Sequence, residues 1–123
     1  MKNKILIIDD DNRNIFALKA ILKARGFDCY TALSATEGLR LLGPDTPIGV
    51  VLMDMMMPEM DGYEAIEQIR RNLHTRNLPI ISVTAQAMAG DREKCLEAGA
   101  DAYISKPIDI DVLVQYLHKY LKS

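Results

Sequence analysis

The chain has 123 residues, of which 49% are hydrophobic and 26% charged, with a formal net charge of −2. That length suits a single domain with a core of its own, so no disulfide or metal staple is required. The balanced charge, with no clustered Lys/Arg, argues against a nucleic-acid footprint, and no stretch approaches the roughly 18 apolar residues of a membrane span. The opening "MKNKILIIDDD" runs at once into strand-like residues and acid, which argues against a signal peptide. The expected location is therefore cytoplasmic or cytoplasm-facing. A Met at position 1 suits a small protein or a domain of a longer one equally well. Cys29 and Cys95 lie far apart without dense Cys/His patterning and are expected to be reduced thiols.

"KILII", 4–8, is a non-alternating apolar run and predicts a strand covered on both faces. Ile15, Leu18, Ile21 and Leu22 recur at helical spacing between Asn14 and Arg25, and Gly26 supplies the stop. "FDCYTA" predicts a second strand. Ser34 opens a capping box with Glu37 and starts a helix carrying Leu39 and Leu42. The breakers "GPDTP" form a loop before the third strand, "IGVVLM". "GYEAIEQIRR" predicts a helix with Ile66, Ile69 and Leu73 on its inner stripe. "LPIISVT" is the fourth strand, and a helix over Asp91–Ala98 ends at Gly99. "DAYIS" is the fifth strand, Pro107 breaks the chain, and "DIDVLVQYLHKYL" forms the last helix, with Leu113, Leu117 and Tyr120 or Leu121 inward. Five strands alternating with five helices imply an α/β fold, a doubly wound parallel sheet with helices on both faces, and one domain over residues 1–123.

In such sheets ligands bind beyond the carboxyl ends of the strands, where strand order reverses. The polar residues there are Asp9 and Asp10, Asp54, Thr84 and Lys106. If strands one and three lie side by side at the centre, the carboxylates converge and repel unless a cation compensates. Oxygen ligands with no histidine or reduced cysteine favour Mg²⁺ or Mn²⁺ over zinc. A divalent ion, a lysine and a hydroxyl around a carboxylate form a cradle for a phosphoryl group. Asp54, the lone acid at its strand end, is best placed as the nucleophile, and Asp9 and Asp10 as metal ligands. Asp11 suits a helix start instead. There is no GxxxxGK[ST] and no GxGxxG after strand one, and His74 and His118 are expected at the surface.

Four motifs, in order and spanning nearly the whole chain, carry a specific resemblance: "ILIIDDD", "VVLMDMMMPEMDGYEAIEQIR", "ISVTA" and "DAYISKPI". Together they resemble the receiver domain of two-component response regulators. The resemblance implies a flavodoxin-like sheet of order 2-1-3-4-5, with Asp54 as phosphoacceptor. Asp9, Asp10, Asp54 and the backbone carbonyl of Met56 would hold Mg²⁺. Thr84 matches the switch hydroxyl, Lys106 the phosphate-contacting lysine and Tyr103 the aromatic switch. The backbone N–H of Ala85 faces the phosphoryl group, and Lys106–Pro107 is expected as a cis bond.

The implied donor is a phosphohistidine on a sensor histidine kinase or histidine phosphotransfer protein. The implied output is an effector protein or a receiver dimer, through a face that includes Gln86, Ala87 and Met88 at its movable edge. Activity would be limited to self-phosphorylation from small donors and autodephosphorylation, slow because Met56 cannot position a water. Gly62 is expected in a conformation awkward for other residues, and Asp61 at a helix start. The chain could stand alone, belong to a hybrid sensor histidine kinase, which is slightly favoured, or accompany an output domain. The competing classes are an aspartyl-phosphate-type small-molecule phosphohydrolase and an unphosphorylated interaction scaffold.

Overall fold

The computed structural model describes residues 2–85 and 90–121. The expected movable edge, Gln86, Ala87 and Met88, lies outside the described residues. The strands are β1 (Lys4–Ile8), β2 (Cys29–Ala32), β3 (Ile48–Asp54), β4 (Ile80–Thr84) and β5 (Ala102–Ser105). They alternate with α1 (Asn12–Ala24), α2 (Ala35–Arg40), α3 (Gly62–Arg71), α4 (Asp91–Ala98) and α5 (Ile110–Tyr120). The sheet is parallel throughout, in the order β2-β1-β3-β4-β5. The expected elements and their order are all present, with strand starts one to two residues later than expected at β2, β4 and β5.

Side chains alternate across a strand, and here the alternation sorts the core into two layers. Leu6 and Ile8 of β1, with Val51 and Met53 of β3, pack against Ala35 of α2, Ala65, Ile66 and Ile69 of α3, and Cys95 of α4. Ile5 and Ile7, with Val50 and Leu52, pack against Ile15 and Leu22 of α1 and Leu113 and Leu117 of α5. Every residue of β3 is buried, as a central strand covered on both faces requires. This is why the strand reads as an unbroken apolar run until Asp54.

The helix starts follow from side-chain caps. Asp11 Oδ1 accepts from the backbone N–H of Arg13 (2.9 Å) and Asn14 (3.4 Å), so it caps α1 as expected. Ser34 Oγ accepts from Glu37 N–H at 3.1 Å, and the Glu37 carboxylate accepts from Leu33 N–H at 3.4 Å. The reciprocal bond thus lands one residue before the usual capping-box partner. Asp61 caps α3 through Glu64 N–H at 3.0 Å.

Two expectations about helices need correction. Leu73 is 75% exposed. Helix α3 ends at Arg71 and its cap residue Asn72 is extended, so the helical period stops before it can bring Leu73 into line with Ile66 and Ile69. Leu42 is buried, but it lies beyond the end of the short α2 rather than on it. His74 and His118 are exposed and both cysteines are free, as expected. Among the described residues, no helix is long and apolar enough to cross a membrane.

Candidate functional site

The chain runs from β1 outward to β2, then crosses back to place β3 on the other side of β1. That reversal opens a crevice at the carboxyl ends of β1 and β3. Parallel ladder bonds extend just past the strand ends and fix the residues that line it. Asp9 N–H donates to Ala32 O (3.1 Å), Met55 N–H to Val83 O (2.9 Å) and Lys106 N–H to Thr84 O (2.7 Å). The Lys106–Pro107 peptide is cis, as the resemblance implied.

The crevice brings the expected acids together. One carboxylate oxygen each from Asp9, Asp10 and Asp54 lies within 4.8 Å of the others. Asp9 and Asp54 are buried, whereas Asp10 faces solvent. Lys106 Nζ stands 3.4 Å from Asp9 Oδ2 and 3.8 Å from Asp54 Oδ2, bridging the two buried carboxylates. The second oxygen of each acid is held by backbone. Asp9 Oδ1 accepts from Asp11 N–H at 2.9 Å and Asp54 Oδ1 from Met56 N–H at 3.1 Å. Thr84 is buried at the end of β4, beside the Asp54–Val83 register pair, and Ala85 follows it at the surface.

Charge is in excess here. Burial pushes the Asp54 carboxyl up to about 6, against the pull of the Met56 N–H and Lys106, and the neighbouring Asp9 adds to the rise. A lone lysine therefore does not neutralise the pair of buried acids. An all-oxygen set with a residual negative charge fits a hard divalent cation, and Asp9, Asp10 and Asp54 are the side chains able to hold one.

The methionines after Asp54 divide by burial. Met53 and Met55 are fully buried and Met57 nearly so, all within the layer covered by α2–α4. Met56 is 51% exposed. Its backbone is tied to Asp54 while its side chain faces outward.

Gly62 departs from expectation. It does not take a left-handed conformation; in this loop Glu59 does, at φ 67°. Gly62 is required by close approach instead. A Cβ there would lie 2.7 Å from Met55 Cα and 3.1 Å from Asp54 O. The first turn of α3 is thereby pressed onto the backbone that carries Asp54. Gly62→Ala is expected to cost about 1–3 kcal/mol through overpacking and to weaken divalent-cation binding. Chemical denaturation and a calorimetric metal titration would measure both, and an unchanged variant would show that the contact relaxes freely.

Three residues to which sequence reasoning assigned no part in the site surround its Tyr103 side. Tyr103 OH donates to Asp91 Oδ2 (3.1 Å), Tyr63 OH donates to Asp91 Oδ1 (3.2 Å), and Cys95 Sγ lies 3.7 Å from Tyr63 OH. No local pattern marks them, because the contacts join α3, α4 and β5.

The comparisons agree with this geometry. Residues 5–118 match the family described as the response regulator receiver domain. The chain is 40% identical over 116 residues to the sensor histidine kinase RcsC of Salmonella typhimurium, covering 94% of this chain but 12% of that protein. It is 32% identical over 121 residues to the polar-differentiation response regulator DivK of Brucella ovis, covering 98% of both. Among solved structures, the receiver domain of the sensor histidine kinase PA1611 from Pseudomonas aeruginosa PAO1 aligns over 100% of both chains, with a TM-score of 0.87 and 32% identity. That structure is described as having a magnesium ion coordinated in its active-site cleft. Parallel order, converging strand-end acids and matched family together lead to one assignment: the chain belongs to the response regulator receiver domain family.

Proposed function

We propose that the chain is a phosphoryl-accepting switch in which Asp54 takes a phosphoryl group from a phosphohistidine on a partner protein. What supports the reading best is the setting of Asp54. It is buried at the end of the central strand, has one oxygen fixed by Met56 N–H, and has the other 3.8 Å from Lys106 Nζ. An Asp54 oxygen attacks phosphorus, a new P–O bond forms as the P–N bond breaks, and the electron pair leaves on the partner's imidazole, which takes up a proton.

Mg²⁺, with Mn²⁺ as a substitute, would be held by Asp9, Asp10, Asp54 and the carbonyl of Met56, and when bound supplies charge neutralisation to the transferring group. Lys106 contacts the phosphoryl oxygens, and its ammonium, already set against Asp54, offsets the charge that the group brings. The Thr84 hydroxyl and the Ala85 N–H donate to the same group. Tyr103 then repacks, which changes the face that effectors or a second receiver read. Met56 offers no group able to orient water, so the acyl phosphate is expected to be long-lived.

The partner class is a sensor histidine kinase or a histidine phosphotransfer protein. Two of the similar proteins are themselves described as sensor histidine kinases, which favours a hybrid-kinase parent for this domain. Catalysis by the chain itself is then confined to taking phosphoryl groups from small donors and losing them slowly.

With a small-molecule phosphodonor and Mg²⁺, the chain is expected to gain one phosphoryl group, mapped by mass spectrometry to Asp54. Repeated turnover of the donor without a lasting label would replace this reading with a hydrolase. No label at all would replace it with an interaction scaffold.

A further inference from the structure

One carboxylate clasps two tyrosines from different elements of the fold. Asp91, the first residue of α4, accepts from Tyr63 OH of α3 through Oδ1 (3.2 Å) and from Tyr103 OH of β5 through Oδ2 (3.1 Å). The clasp is braced on both sides. Lys94 Nζ sits 4.6 Å from the centre of the Tyr63 ring, and the buried Cys95 places its sulfur 3.7 Å from Tyr63 OH. Both tyrosine hydroxyls are donors at neutral pH, and burial raises their titration further above the ordinary range. Ser82, the register partner of Tyr103 on β4, is fully buried and its hydroxyl makes no hydrogen bond among the described residues. The Tyr103 hydroxyl is committed to Asp91 instead.

We propose that Asp91 is the positioning residue of the switch, a latch that holds Tyr103 and the start of α4 in the arrangement belonging to unphosphorylated Asp54. The inference rests on the switch reading given above. Asp91 touches neither the acids nor the phosphoryl position; it acts through Tyr103. The Tyr103–Asp91 hydrogen bond must break or rearrange before Tyr103 can repack, and Tyr63 holds the carboxylate that accepts it. The latch lowers the population of the active arrangement in the free protein. A ligand that needs this arrangement therefore binds with an apparent affinity reduced by the same factor.

Beryllofluoride with Mg²⁺, a mimic of the phosphoryl group on a carboxylate, is the probe. Asp91→Ala is expected to tighten its binding by about 5–10-fold, measured by calorimetric titration. Tyr63→Phe keeps the ring and removes one of the two bonds, so a smaller tightening, about 2–3-fold, is expected. In the double variant the effects do not add, because both act through one carboxylate. Mg²⁺ binding without beryllofluoride stays the same in all variants, which a general disturbance of the fold would not leave untouched. Tyr63→Phe carries the test should Asp91→Ala prove too unstable to titrate.

The two readings fail separately. A wild-type chain that does not bind beryllofluoride at Asp54 removes the switch reading and the latch with it. A wild-type chain that binds it, with Asp91→Ala and Tyr63→Phe binding equally or more weakly, removes the latch alone. Independent, additive effects of the two substitutions do so as well.

Discussion

In the absence of divalent metal, Asp54→Asn is expected to stabilise the protein at pH 7 while abolishing its labelling by a phosphodonor. The stability gain follows from the Asp54 carboxyl, which burial raises from 3.8 to about 6 in the folded state. The folded protein holds this proton more tightly than the unfolded chain does. Its stabilising contribution is full below about pH 4 and is lost as the pH rises through about 6. At pH 7 the group is ionised in both states, and the difference of about two units corresponds to a cost of about 2–3 kcal/mol. An amide of the same shape avoids that cost and can still accept from Met56 N–H.

Urea denaturation in chelator should therefore show the variant ahead at pH 7 and level with wild type near pH 4. Adding Mg²⁺ should close the gap at pH 7, since the wild-type site gains a ligand that the amide holds less well. A constant difference across that pH range would contradict the assignment of Asp54 as the strained carboxylate. Lasting label on the variant at its usual stoichiometry would contradict its role as acceptor. The same electrostatic strain thus links a stability measurement to a chemical one.

The second large effect lies far from the acids. Arg70→Ala is expected to destabilise the fold by about 3 kcal/mol or more. Its guanidinium gathers four backbone carbonyls from two stretches of chain. Nε and Nη2 donate to Gly99 O (3.0 and 2.7 Å), and Nη1 donates to Leu78 O (2.7 Å) and Arg76 O (3.1 Å), with a longer approach to Thr75 O (3.5 Å). Nη2 also meets Asp101 Oδ2 at 3.0 Å, and the same oxygen accepts from Ile80 N–H at 2.8 Å. Gly99 O at the end of α4 and Leu78 O in the α3–β4 connection take their short hydrogen bonds from this one side chain, whereas Thr75 O also accepts from Leu78 N–H at 3.0 Å. Gly99 is part of the fit: it takes φ 120°, and a Cβ there would press on Arg70 Cγ at 3.2 Å.

Removing the guanidinium leaves partly buried carbonyls unpaired, which costs more than the bonds contribute when made. Arg70→Lys should recover less than half of the loss, because one ammonium cannot span the positions a planar fork reaches. Thermal and denaturant unfolding check both variants. A loss under about 1 kcal/mol for Arg70→Ala would mean that water replaces the clamp readily.

Much of the fold is written in local pattern. The unbroken apolar runs at 5–8 and 48–53 mark strands covered on both faces, and each ends in acid because a strand end emerges from the core. Asp11, Ser34 and Asp61 mark helix starts because a cap acts within three residues of itself. The convergence of Asp9, Asp10, Asp54 and Lys106 follows from strand order together with the placing of polar residues at carboxyl ends.

Leu73 marks where this reasoning stops. Its spacing fits the inner stripe of α3, but the helix terminates first, and termination depends on what the following segment must reach. Gly62 marks it differently. A glycine after a loop suggests an unusual backbone angle, whereas its use here is to let α3 touch Met55 and the Asp54 carbonyl.

By itself the sequence determined the α/β order, the burial of β3 on both faces and the strand-end acids, since periodicity, capping and end polarity all act over a few residues. Only the tertiary structure decided that Arg70 clamps the turn at Gly99 and that Asp91 joins Tyr63 to Tyr103. These groups are separated by 12 to 29 residues along the chain. Their partners are chosen by where packed layers bring them, and nothing in their own neighbourhood of sequence records that choice.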